Sequence, residues 1–311
     1  MKEAVVTFFE NMYYMPGLGH RLLSSTLLPL SLLYASFMLL RRRAAHRKAF
    51  DIPIVSVGNL QIGGSGKTPF VIALARRYEK SRKVAVVLRG YGRKSVGLLE
   101  VSRQGDILAT VAESGDEAML IARKCEESSV IVAENRVEGI ARAIAGGAGL
   151  VILDDGFNRV DIEKFEIVLE SQNIPNSYPL PSGPFREFRF VSEEADIYLK
   201  ENSGYNRRVF CENPSERMVL ATAIANPRRL KPFLPEGVVA EYYKADHDRF
   251  SVGQLRDILD RERAESILMT EKDFVKLQDA NLPVSLLRLD MQIEESILEK
   301  IDKYIKDYDA S

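Results

Sequence analysis

Lys67 and Thr68 stand where a glycine-rich turn runs into a helical pattern, a placement suited to binding a polyphosphate. The apolar run Pro53-Ile54-Val55-Ser56-Val57 leads into Gly58-Asn59-Leu60-Gln61-Ile62-Gly63-Gly64-Ser65-Gly66-Lys67-Thr68. Such a strand, turn and helix aim several backbone N–H groups and the positive end of a helix at one spot. In that arrangement Gln61, Ile62, Gly63, Gly64, Ser65 and Gly66 wrap the phosphates of ATP. The Lys67 ammonium reaches the β and γ groups, and the Thr68 hydroxyl ligates Mg²⁺. The usual G-x-x-x-x-G-K-[ST] pattern is broken at one position, where Gln61 replaces glycine. Pro69 does not argue against a helix, because an N–H in the first turn has no partner to lose.

A second set of groups matches the first. Leu150-Val151-Ile152-Leu153 is an apolar strand ending in Asp154-Asp155-Gly156, the Walker B pattern, whose carboxylates hold Mg²⁺ directly or through water. Between the two motifs, Gly115-Asp116-Glu117 opens a helical run. Taken alone, Asp116 is better read as a helix N-cap, but an acid near a bound γ-phosphate also fits acceptance of the proton of an attacking hydroxyl.

The elements that must position these groups alternate. Helix 70–79, strand 84–88, extended runs 98–101 and 107–111, helix 116–125, strand 130–133, helix 135–145, strand 150–153 and strand 166–169 follow the loop. That alternation predicts an α/β fold: a P-loop NTPase-like, mostly parallel sheet with helices on both faces. Ligands of such sheets bind beyond the carboxyl ends of the strands, where Gly58, Arg89 and Asp154-Asp155 all stand. A proline-rich stretch from Ile174 to Glu187 interleaves Leu, Tyr and Phe, so it reads as a structured excursion. Extended runs near 206–210 and 217–223 suggest a two-stranded connection. Beyond it come helix 227–233, strand 238–242, helix 252–261, strand 266–269, helix 272–277, strand 285–291 and a closing helix from Glu294. The expected organisation is an anchor and basic collar at 1–50, a P-loop domain at 51–203, a linker at 204–217 and a smaller α/β domain at 218–311.

From Leu22 to Leu40 there is no charged residue, and Arg41-Arg42-Arg43, His46, Arg47 and Lys48 follow at once. The run is near the lower length for spanning a bilayer, and Ser24, Ser25, Thr26, Pro29, Ser31 and Ser36 dilute it. It is too long for a secretory signal and has no small-residue cleavage site after it. The favoured reading is a helix in the interface of an anionic membrane surface, with the basic cluster on headgroups and the nucleotide domain on the cytoplasmic side. A helix buried against a partner is the alternative. A net charge of −1 over 311 residues excludes a broad nucleic-acid footprint. Two cysteines, Cys125 and Cys211, give neither a disulfide framework nor a cysteine metal site.

Taken in order, these segments resemble the tetraacyldisaccharide 4′-kinases, the lipid A 4′-kinases of Gram-negative envelopes. The resemblance rests on Leu27–Tyr34, Val57–Leu60 with Gly63–Thr68, Arg89-Gly90-Tyr91-Gly92-Arg93, Gly115-Asp116-Glu117 and Leu153-Asp154-Asp155-Gly156-Phe157. It continues through Leu180-Pro181-Ser182-Gly183-Pro184-Phe185-Arg186-Glu187, Asp246-His247 and Thr270-Glu271-Lys272-Asp273-Phe274-Val275-Lys276-Leu277. The family's phosphate loop also lacks the first Walker glycine. Two departures stand out: Asn158-Arg159 where the family has Gln-His, and alanines at 223 and 225 where it has glycines.

The resemblance implies transfer of the ATP γ-phosphoryl group to the 4′-hydroxyl of a tetraacyl glucosamine disaccharide 1-phosphate, at the cytoplasmic face of the inner membrane. It implies catalysis by Lys67 and Asp116 with His247 as the partner of Asp116, and substrate contacts from Asn59, Arg89, Tyr91, Arg186 and Glu187. His247 also fits a polar surface turn, and Thr270-Glu271-Lys272-Asp273 fits a helix N-cap with an acid at the third helical position. No obligate protein partner is implied. Two other functions fit the same motifs, a membrane-associated P-loop ATPase of another class and a non-catalytic lipid-binding relative. No N-K-x-D run specifies guanine.

Overall fold

The runs Ile54–Gly58, Val84–Leu88 and Leu150–Asp154 are buried at every position, as strands covered on both faces must be. The computed structural model describes residues 2–62, 66–171, 174–224, 227–246, 248–277 and 281–310, with the backbone alone for 2–7. The chain begins with α1 (Lys2–Tyr14), α2 (Leu18–Ala44), β1 (Ile54–Gly58), α3 (Lys67–Tyr78), β2 (Val84–Leu88), β3 (Leu99–Arg103) and β4 (Asp106–Ile107). Next come α4 (Val111–Ser114), α5 (Asp116–Lys124), β5 (Ser129–Val132), α6 (Arg136–Ala145), β6 (Leu150–Asp154), β7 (Phe165–Glu170) and β8 (Ile197–Lys200). It closes with β9 (Tyr205–Glu212), β10 (Met218–Thr222), β11 (Val238–Tyr243), α7 (Val252–Glu262), β12 (Ser266–Thr270), α8 (Glu271–Phe274), β13 (Val284–Ile293) and α9 (Glu295–Asp309).

Two compact units divide the chain, Met1–Val71, Ile144–Asn206 and Ile293–Ser311 in the first and Ile72–Ala143 with Arg207–Gln292 in the second. In the first, β6, β1, β7 and β8 lie side by side and parallel, with Val57 opposite Asp154 and Gly58 opposite Val168. Helix α9, expected with the C-terminal domain, belongs here instead. Its Tyr304 ring stacks on Phe165 at 4.9 Å and its hydroxyl meets the Ile54 backbone at 3.3 Å.

In the second unit β2 and β5 pair in parallel, and β3 runs antiparallel to β5 and β4. A five-stranded sheet follows, in the order β11-β10-β12-β13-β9. Its alternate residues separate cleanly. Val219, Ala221, Ile267 and Met269 pack with Leu255, Ile258 and Leu259 of α7, while Met218, Leu220, Leu268 and Leu287 form a second cluster. Strand β9 joins this sheet at its edge, beside β13 rather than β10.

Two smaller expectations also change. The run 107–111 is extended only to Ile107, because Thr110 and Glu113 form a reciprocal capping box that starts α4. The run Pro227–Phe233 is a 3₁₀ turn, as befits a segment whose two prolines cannot donate.

Helix α2 is longer than its uncharged core, running through Arg41-Arg42-Arg43 to Ala44. Ser24, Ser31, Ala35 and Arg42 are its buried residues, and their spacing of seven, four and seven puts them on one stripe. Two of the hydroxyls that dilute the apolar run, Ser24 and Ser31, therefore belong to the docking face, whereas Ser25, Thr26 and Ser36 are exposed. Ser24 Oγ donates to Ser182 O at 2.7 Å, Ser31 Oγ meets Ser182 Oγ at 2.8 Å, and Ser182 N donates to Ser31 Oγ at 2.9 Å. On the far side Leu22, Leu33, Phe37 and Leu40 are exposed. Among the described residues α2 is the one helix long and apolar enough to cross a membrane.

The basic collar departs from expectation. Arg42 does not face outward: its side chain is 2% exposed and makes a two-pronged pair with Glu187 at 2.8 and 3.0 Å. Its guanidinium also lies 4.4 Å from the centre of the Phe157 ring. Arg43 reaches Glu194 at 2.8 Å, and Arg41 donates to Asn158 O at 3.2 Å.

Candidate active site

Close backbone approach builds the floor of the first site. A Cβ on Gly58 would sit 2.4 Å from Phe157 Cβ, and one on Gly156 would sit 2.5 Å from Ser56 Oγ. The end of β1 and the turn after β6 can therefore touch only because both residues are glycine. From this contact the chain enters the loop. Gln61 is 2% exposed and bridged to Phe185, with Ile62 N donating to Pro184 O at 2.9 Å and Arg186 N to Leu60 O at 2.7 Å. These bonds explain the missing glycine: here position 61 is held as a short antiparallel bridge, which any residue can adopt. Gly63, Gly64 and Ser65 lie outside the described residues. Gly66 has φ of 82° and directly precedes α3.

Lys67 and Thr68 are the first two residues of α3. The Lys67 ammonium donates to Asn59 Oδ1 at 3.0 Å and lies 3.5 Å from Asp155 Oδ1. Thr68 Oγ1 donates to Asp154 Oδ2 at 3.1 Å. Asp155 holds φ of 55°, a conformation uncommon for a residue with a side chain and a mark of local strain. Arg186 faces it with one guanidinium nitrogen 3.3 Å from both carboxylate oxygens. Burial pushes the Asp155 carboxyl up, but the Lys67 and Arg186 charges overcome that and hold it below the ordinary range. Lysine, hydroxyl, two carboxylates and arginine thus meet in one unit. That donor set fits a magnesium nucleotide, because Mg²⁺ takes one or two protein carboxylates together with phosphate oxygens and water.

Glu187, expected at the substrate, is instead committed to Arg42 and is 1% exposed. Asn158 fills the place of the family's glutamine usefully. With the amide turned so that its oxygen faces the guanidinium, it accepts from Arg186 at 2.9 Å and donates to Glu187 at 3.2 Å. Arg159 turns its fork onto Asp161 at 2.7 and 3.1 Å.

The second unit carries Arg89, Tyr91 and Asp116. Arg89 follows β2, with its guanidinium 5.3 Å from the centre of the Tyr91 ring. Gly115, not Asp116, occupies the N-cap of α5, which removes the capping role from Asp116. Asp116 is the first helical residue, 5% exposed, and Glu117 N donates to its Oδ1 at 3.1 Å. Two lysines that were not singled out from the sequence face it. Lys276 Nζ is 3.5 Å and Lys272 Nζ 3.8 Å from Asp116 Oδ2. Thr270 does cap α8, accepting from Asp273 N at 3.3 Å. Asp273 does more than the expected capping acid: it also accepts from Thr222 Oγ1 at 2.6 Å, Ala223 N at 3.2 Å and Lys276 Nζ at 3.2 Å. The sequence signals for this cluster were the Thr270–Leu277 segment of the resemblance and the four-residue spacing of Lys272 and Lys276 within it, which puts residues on one side of a helical turn. His247 and Ala225 lie outside the described residues. Both cysteines are free, and burial pushes the Cys125 thiol up to about 12, where it is inert.

Comparison with known proteins gives one answer. The family model described as "LpxK: Tetraacyldisaccharide-1-P 4'-kinase" matches residues 23–215 and 206–306. The tetraacyldisaccharide 4'-kinase of Helicobacter pylori is 45% identical over 303 residues, covering 97% of this chain and 96% of that protein. The one from Campylobacter jejuni is 40% identical over 304 residues, covering 97% of each. Among solved structures, LpxK from Aquifex aeolicus in complex with ATP is similar with a TM-score of 0.77 at 28% identity, over 91% of this chain and 99% of that one.

Proposed function

This chain belongs to the tetraacyldisaccharide-1-P 4'-kinase family, and from that membership we propose that it moves the γ-phosphoryl group of ATP onto the 4′-hydroxyl of a tetraacyl glucosamine disaccharide 1-phosphate, a step of lipid A biosynthesis. The observation that carries the reading is the meeting of Lys67, Thr68, Asp154, Asp155 and Arg186 at the end of a parallel sheet. Thr68 and Asp154, with Asp155 beside them, would hold Mg²⁺, which draws charge from the β- and γ-phosphate oxygens when bound. Lys67 is kept poised by Asn59 and Asp155 until phosphate replaces them as its partner. Arg186 adds a second cation for the charge that spreads over the transferred group. Asp116 accepts the proton of the 4′-hydroxyl as the oxygen attacks, a role that contributes about 10²–10⁴-fold. Arg89 and Tyr91 contact the lipid acceptor. Glu187 supports the nucleotide site of the first unit from behind, by fixing Arg42 and, through Asn158, Arg186.

The lipid acceptor also accounts for α2. A helix that docks through its hydroxyls and turns Leu22, Leu33, Phe37 and Leu40 outward is stable where that outer face meets hydrocarbon. Each such side chain contributes up to about 2–3 kcal/mol when removed from water. The helix lies in the membrane interface, on the cytoplasmic side where ATP is available. Purified protein incubated with γ-labelled ATP, Mg²⁺ and the disaccharide 1-phosphate tests the whole reading. Label should enter the lipid. Release of label as free phosphate at the same rate with and without lipid would instead indicate an ATPase of another class, and binding of lipid without turnover a non-catalytic relative.

A further inference from the structure

We propose that Lys276 and Lys272 clamp the Asp116 carboxylate from one side, making the Thr270–Leu277 segment a positioning element for the phosphoryl-transfer step. The inference rests on the reading of Asp116 as the base. Lys276 carries the stronger half of the argument. Its side chain is 5% exposed, and its ammonium sits 3.5 Å from Asp116 Oδ2, 3.2 Å from Asp273 Oδ1 and 3.2 Å from Asp248 O. Asp273 is itself fixed, because Thr222 and Thr270 hydroxyls at 2.6 and 2.7 Å and Ala223 N at 3.2 Å all donate to it. A chain of bonds therefore runs from the ends of β10 and β12 through Asp273 to Lys276, and places that cation against Asp116. Lys272 closes the clamp, 3.8 Å from Asp116 Oδ2, 3.3 Å from Glu117 Oε1 and 3.5 Å from Asp246 Oδ1.

Stability does not explain this arrangement. Two lysines and four carboxylates, Asp116, Glu117, Asp246 and Asp273, share the cluster, and buried ion networks are commonly no more stable than an apolar replacement. Chemistry does explain it. A general base must be ionised at working pH, and like charges on the neighbouring carboxylates oppose a charge there. The two ammonium groups offset them. Lys272 bears the mark of this: burial lowers its pKa, yet Glu117, Asp116 and Asp246 outweigh burial and leave it raised. Nearby, Lys124 is paired with Glu271 at 2.6 Å and Arg288 with Glu212 at 2.5 Å, so those charges are already matched.

The test is the pH profile of kcat for lipid phosphorylation by the full chain, with KM for ATP measured alongside. Lys276→Met should shift the acid limb upward by about 1–3 pH units, the effect of losing an opposite charge at this range, with activity recovering at high pH and KM for ATP unchanged. Lys272→Met should shift it the same way by less, and Lys276→Arg should restore most of the wild-type limb. An acid limb unmoved in both methionine variants would overturn the clamp. Should thermal melting show that Lys276→Met fails to fold, the partly exposed Lys272→Met decides alone, and an unmoved limb there overturns it equally. Asp116→Asn runs in parallel. If it is inactive while both lysine variants behave as wild type, only the clamp fails; if it keeps wild-type kcat, the base assignment itself fails.

Discussion

Asp155, partly buried, and Asp116, fully buried, are both carboxylates faced by two cations, yet they are held in different ways. Asp155 sits at the end of a strand in a strained left-handed conformation, between Lys67 and Arg186, one from the phosphate loop and one from the proline-rich segment. Asp116 sits in relaxed helical geometry at the start of α5, and both its cations come from a single turn after β12. The first arrangement suits a group whose cation is to be handed to an incoming phosphate. The second suits a group that keeps its cations throughout and must only stay ionised and aimed. Strain gathers at the carboxylate expected to bind metal, and rigidity at the one expected to take a proton.

Breaking the first arrangement should have the largest effect. Lys67→Ala should lower kcat by at least about 10²–10³-fold while the melting temperature stays close to wild type, since the lysine serves phosphate rather than the fold. Near-normal turnover would remove the phosphate-loop reading. The next effect is on stability. Glu187→Ala leaves Arg42 buried without its carboxylate and should cost about 3–5 kcal/mol in denaturant unfolding. Glu194→Ala, which breaks the exposed Arg43 pair, should cost less than about 1 kcal/mol. Equal losses would mean that the collar does not dock as described.

A third variant leaves both sites intact. Replacing outward Leu33 and Phe37 by Ser should weaken cosedimentation with anionic vesicles without lowering the melting temperature, because neither side chain packs in the fold. The smallest effect concerns Lys272. Its pKa is raised above the usual 10.5 in the folded chain, so its contribution to stability is complete below that value and fades as pH rises through the higher folded value. The melting difference between wild type and Lys272→Met should therefore be constant near pH 8 and shrink at strongly alkaline pH.

Much of this was legible in the residues, for identifiable reasons. Uninterrupted apolar runs such as Val84–Leu88 can be little else than covered strands, and Lys67-Thr68 after the glycines announces the helix start that α3 makes there. What stayed hidden depended on contacts distant in sequence. Ser24, Ser31 and Arg42 read as breaks and a collar on an apolar helix until Ser182 and Glu187, some 145–158 residues away, appeared as their partners. Tyr304 carries no local sign that it packs on Phe165 and Ile54. Lys276 looks like an ordinary solvated helix charge, and only its seat between Asp273 and Asp116 shows otherwise.

The division between binding nucleotide and taking the proton is tested most directly on Asp116→Asn, by measuring ATP affinity and lipid phosphorylation on the same preparation. ATP should bind as tightly as to wild type, while transfer falls by about 10²–10⁴-fold. Transfer at the wild-type rate, or a loss of ATP binding large enough to account for the whole defect, would contradict the account.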